Sequence, residues 1–117
     1  MKSKRRQKLL NRSPAQTREI REAVFARAAG RCECGCGRWI SEETGHLDHA
    51  EGRGKAPQTI RNCWALHSIC DDQRTRNSPN ASSWLARFIA HCNHYGYVAE
   101  AEKAAAKLQV LKAKGRA

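Results

Sequence analysis

The apolar positions of this chain change period twice. Ile20, Ala23, Val24 and Ala28 recur at helical spacing and define one apolar stripe. Ser13 and Pro14 suit the cap and first position of that helix, Gln16 completes a capping-box pattern, and Gly30 suits its end. The pattern then shortens. Trp39-Ile40 reads as the start of a short apolar strand, and Leu47, between His46 and Asp48, marks another. Ile60, Cys63-Trp64 and Leu66 predict a further strand with Asn62 at its beginning. Asp71 to Arg76 reads as a short helix whose acidic start suits the helix dipole. Ser78-Pro79 signals a new helix, with Trp84, Leu85, Phe88, Ile89 and Cys92 on one face and Gly96 as its stop. Val98 to Lys114 predicts a last, alanine-rich helix along Val98, Ala101, Ala105, Leu108 and Leu111. The expected class is α+β, mainly helical.

Composition sharpens this picture. The 117 residues allow one domain with tails, and the net charge of +11 favours a polyanionic partner, nucleic acid above all. Met1 to Arg12 carries six basic residues and no acid, as expected of an arm that follows phosphates. It lacks the apolar centre of a signal peptide, and no apolar run reaches the roughly 18 residues of a membrane span. A cytoplasmic setting without a membrane follows as the expectation. With two Phe and two Tyr, and much of the hydrophobic fraction alanine, the core is thin and calls for a staple. Six cysteines in a reducing compartment point to a metal in place of disulfides.

Two half-sites have zinc-like spacing. Cys32 and Cys36 lie in the glycine-bearing stretch Cys32-Glu33-Cys34-Gly35-Cys36-Gly37, with Cys34 as a competing donor. His67 and Cys70 follow about 30 residues later. The expected set is Cys32, Cys36, His67 and Cys70, closed around a structural zinc, with Cys63 as a remote option. His91, Cys92 and His94 cannot all share one helix face, so His91 and Cys92 read as core-edge residues.

Between the half-sites stand Asp48-His49, a Gly52-Arg53-Gly54-Lys55 loop and Asn62, and directly after the second stands Asp71. This order resembles the HNH endonuclease family over roughly residues 31–75. Asp71 stands nine positions after Asn62, the family's register, and Arg74-Thr75 resembles its Lys-Thr. The resemblance implies a ββα-metal core with flanking helices, partitioned as a basic arm (1–12), a nuclease core with its leading helix (13–77) and C-terminal helices packed on that core (78–117). It also implies a bacterial or phage setting.

The chemistry is coherent on its own. An imidazole such as His49 can take a proton from water near neutral pH, and Asp48 can bind a divalent cation that stabilises the leaving oxygen. By resemblance, Asn62 orients His49 or ties down its loop. Arg53, Lys55 and Arg74 are candidate phosphate contacts. Asp71 stands where the family has His. Asp48 and Asp71 together would favour Mg²⁺ or Mn²⁺, with Asp72 as a neighbouring alternative. The expectation is a DNA endonuclease. The rival is a zinc-stabilised DNA-binding protein without catalysis.

Overall fold

The computed structural model describes residues 14–50, 58–76 and 81–115. The basic arm, the Ser13 cap, the loop bearing Arg53 and Lys55, and Ser78-Pro79 lie outside the described residues. Among the described residues the order is α1 (Pro14–Ala28), β1 (Gly45–His49), β2 (Cys63–His67), α2 (Ser68–Arg76), α3 (Ala81–Tyr95) and α4 (Val98–Ala113). The fold is a mainly helical α+β arrangement around one antiparallel hairpin.

The hairpin register pairs Gly45 with His67, His46 with Leu66, Leu47 with Ala65, Asp48 with Trp64 and His49 with Cys63. A two-stranded hairpin alone is marginal in water, so its stability must come from what covers it. Strand alternation sends Trp64 and Leu66 to one face, where they pack with Cys32, Cys34, Cys70, Trp84, Phe88, Cys92, Ala101 and Ala104. Cys63 and Ala65 face the other way, into a cluster with Ile20, Val24 and Ala28, against which Leu47 and Phe25 pack. The C-terminal helices thus cover one side and α1 the other. Trp64, Leu66 and Val24 are fully buried, each contributing about 1.5–3 kcal/mol or more by burial.

Gly45 is required by close approach: a Cβ there would stand 2.5 Å from the Phe25 ring and 2.8 Å from the Ser41 carbonyl. α1 therefore presses directly on the start of β1. The strand expected at Trp39-Ile40 does not form. Trp39 makes one isolated bridge to Arg31, and the Arg31 guanidinium stacks 3.5 Å from its ring centre. The sharply turned Cys32–Gly37 segment leaves no length of extended chain for a ladder.

One buried ion pair joins three parts of the fold. Arg27 of α1 grips Glu33 through Nε and Nη2 at 2.8 and 2.7 Å. Glu33 also accepts the Ala65 N–H at 2.9 Å, while its own N–H reaches the Ala65 carbonyl at 2.8 Å. Arg27 further donates to the Cys63 carbonyl at 2.9 Å. A bidentate, multiply hydrogen-bonded geometry is what allows such a pair to be buried. α3 ends at Gly96, whose φ of 76° lets the Tyr97 N–H close on the Cys92 carbonyl at 2.8 Å.

Candidate metal centres

The Cys-rich turn, with Gly35 and Gly37 at φ 87° and 85°, folds three thiols onto one point facing α2. Cys70, in the first turn of α2, supplies the fourth. The sulfurs of Cys32, Cys34, Cys36 and Cys70 all lie within 4.8 Å of one another, with 3.3 Å between Cys32 and Cys34, 3.8 Å between Cys34 and Cys70, and 3.6 Å between Cys36 and Cys70. A tetrahedral zinc with Zn–S bonds of about 2.3 Å sets sulfurs roughly 3.8 Å apart, so these thiols fit a structural zinc.

Electrostatics suit the same ion. Zinc with four thiolates carries two net negative charges, and Arg38 and Arg87 each place a guanidinium nitrogen 3.8 Å from a sulfur, of Cys70 and Cys34 respectively. Without metal the thiols compete for one charge. Cys32 is held low, chiefly by the Cys34 hydrogen bond and also by the His67 N–H, and Cys34 is pushed up in consequence. Burial leads in pushing Cys70 up to about 11.

Cys34 takes the place that the sequence assigns to His67. His67 is the last residue of β2 and, by alternation, points away from the face holding the cysteines. Its Nδ1 accepts the Ile69 N–H at 3.1 Å, capping the start of α2. Only its backbone N–H reaches the cluster, 3.3 Å from Cys32 Sγ.

A second constellation lies where β1 meets α2. His46 and Asp48 share one strand face. Asp71 reaches that face from the first turn of α2, its Oδ2 2.9 Å from His46 Nδ1. Asp48 is largely buried. It accepts from Trp64 Nε1 at 2.7 Å and from an Arg74 guanidinium nitrogen at 3.2 Å. Burial raises its pKa above the usual carboxylate range; Arg74 and Trp64 oppose the rise, and the neighbouring Asp71 carboxylate adds to it. The Asp71 carboxylate thus disfavours the ionised form of Asp48, and the Arg74 guanidinium favours it.

Arg74, a candidate phosphate contact, is committed elsewhere: it also donates to the Ala50 carbonyl at 2.8 Å. His49 is buried at the end of β1, on the strand face opposite Asp48. Asn62 is buried too. Its Oδ1 accepts the Thr59 N–H at 2.8 Å, and its carbonyl accepts the Ala50 N–H at 2.9 Å. Asn62 thus closes the loop that begins beside His49. Asp72 pairs instead with Arg76, four residues on.

Sequence reasoning gave no role to His46, Trp64, Arg38 or Arg87. The shared parity of His46 and Asp48 was the one available signal. His91 and Cys92, expected at the edge of the core, are buried within it, His91 among the rings of Phe88, Trp64 and Tyr95. No helix among the described residues is long and apolar enough to cross a membrane. Compared with known protein families, curated proteins and solved structures, the chain matches none.

Proposed function

We propose that this protein is a metal-dependent DNA endonuclease of HNH type, hydrolysing phosphodiester bonds with His49 as general base and Mg²⁺ or Mn²⁺ held by Asp48 and Asp71. The observation that supports the reading is that Asp71 of α2 reaches the strand face of Asp48, its Oδ2 2.9 Å from His46 Nδ1 on that face. A four-thiol cluster beside them ties the same helix to the Cys-rich turn. Such a hairpin-and-helix frame holds acidic groups near one another at a cost that a divalent cation offsets.

In the proposed reaction His49 takes a proton from water. The water oxygen bonds to phosphorus, the P–O3′ bond breaks, and the 3′ oxygen takes a proton from solvent. When bound, the cation supplies charge stabilisation at the phosphate and the leaving oxygen. Asn62 keeps His49 in place by closing the loop between the strands. The net charge of +11 draws DNA to the surface.

A second reading has specific support. Both Asp48 oxygens are engaged by Trp64 and Arg74, and His49 is buried, as suits a zinc-stabilised DNA-binding module that does not cut. Supercoiled plasmid with Mg²⁺ or Mn²⁺ separates the two. Wild type should nick it, with the rate about 10²–10⁴-fold lower for His49→Ala. Equal rates for the two, with zinc retained in both and salt-sensitive DNA binding intact, support the binding module.

A further inference from the structure

We infer that Trp39, Arg31 and the cleft beside them bind single-stranded DNA, an unpaired base stacking on the tryptophan while its phosphates reach Arg31 and Arg87; this rests on the reading of the protein as directed to DNA. The ring itself is the first observation. Of the three tryptophans, Trp64 and Trp84 are buried, whereas Trp39 is 66% exposed. That exposed ring is nevertheless held in place. The Arg31 guanidinium lies 3.5 Å from its centre and is itself fixed by a 2.9 Å hydrogen bond to the Gly37 carbonyl. Gly30 packs so closely that a Cβ there would stand 3.5 Å from the ring. A flat, preoriented aromatic and guanidinium surface is what an unstacked base recognises, whatever its identity.

Charge points the same way. Arg27, Arg61, Arg74 and Arg76 each face a carboxylate. Among the described residues, Arg31, Arg38 and Arg87 form no such ion pair. Arg38 and Arg87 each turn one nitrogen to a cysteine sulfur, but a guanidinium carries five N–H donors, and others remain for phosphate oxygens. A cleft of about 270 Å³ between the Cys-rich turn and α3 is lined by Arg31 and Arg87 together with His94 and Tyr95. The one carboxylate on its wall, Glu33, is gripped by Arg27. Arg31 belongs to both the stack and the cleft, so one strand can meet the ring and the two guanidinium groups at once. Within a duplex the bases are already stacked, so this surface selects single strands.

The test is titration of the zinc-loaded full chain, without added Mg²⁺ or Mn²⁺, with an oligothymidylate and with its duplex, followed by tryptophan emission and by anisotropy of the labelled DNA. The single strand should quench the emission of Trp39, and saturating duplex should not. Trp39→Ala should remove the quenching and weaken single-strand binding about 5–100-fold. Zinc content and melting temperature should stay those of wild type, since the ring is largely exposed, and Trp39→Phe should recover part of the affinity. Arg87→Gln should flatten the salt dependence of log K by about 0.7. Equal single-strand affinity in wild type and Trp39→Ala, or equal quenching by single strand and duplex, overturns the inference. Trp39-dependent single-strand binding without cleavage would retain this surface and remove the nuclease. Plasmid cleavage with single-strand binding indifferent to Trp39 would do the reverse.

Discussion

The two constellations differ in how completely the fold assembles them. The four cysteine sulfurs converge within 4.8 Å, in a turn stitched to β2 through Glu33 and backed by two guanidinium groups. The site of His46, Asp48 and Asp71 is gathered on one strand face, yet one carboxylate is held by Arg74 and Trp64 while the other pairs with His46. A closed set of four soft ligands suits an ion that stays and contributes to folding. The oxygen and imidazole donors of the second set are more open, His46 being half exposed, and Arg74 already balances the Asp48 charge. One helix, α2, serves both, because Cys70 and Asp71 are adjacent.

The sharpest way to break this contrast is to remove the closed ion. Chelation, or Cys70→Ser, should abolish cooperative thermal unfolding, since structural zinc in small domains contributes on the order of 10 kcal/mol. Melting followed by circular dichroism, with zinc counted by mass spectrometry, checks this. The next effect falls on the stitch to β2. Glu33→Ala leaves Arg27 buried without its carboxylate and should cost about 3–5 kcal/mol in chemical denaturation.

A smaller effect should appear with pH. Burial holds the His91 imidazole low, at about 4, with Glu33 opposing and Arg27 and His94 adding to the shift. Between pH 6.5 and 4 the unfolded chain then binds the extra proton, so stability falls as pH falls through that window. The loss attributable to His91 is on the order of 2–3 kcal/mol. It is read as the difference in pH dependence between wild type and His91→Phe, with zinc present in both. Smallest in stability is Arg74→Gln, at about 1 kcal/mol. It sharpens the comparison most, because freeing Asp48 should tighten Mn²⁺ binding several-fold in calorimetry and leave zinc untouched.

Much of this frame is legible in the chain. Helical spacing of Ile20, Val24 and Ala28 marks α1, and Asp48 and Asn62 flank the connection between the two strands. What the chain conceals is phase and distance. His67 has good zinc-ligand spacing from Cys70, yet strand alternation turns it away and brings Cys34 in. Arg27 and Glu33 look like ordinary surface charges in a basic protein, because their shared contacts with Cys63 and Ala65 come from more than 30 residues away. Trp64 reads as core, and it is, but nothing local announces that its indole N–H reaches Asp48. The Trp39-Ile40 strand fails because apolar character alone supplies no pairing partner of sufficient length.

The central claim is that Asp48 and Asp71 place a cation for phosphodiester cleavage. Its most direct test is the initial rate at which zinc-loaded protein cuts an end-labelled DNA duplex with Mn²⁺, for wild type, Asp48→Asn and Asp71→Asn. The account predicts Mn²⁺-dependent cutting by wild type that leaves 5′-phosphate and 3′-hydroxyl ends, with at least a hundredfold loss in each variant while zinc content is unchanged. Cutting that persists in both variants, or wild type no faster than either, would contradict it.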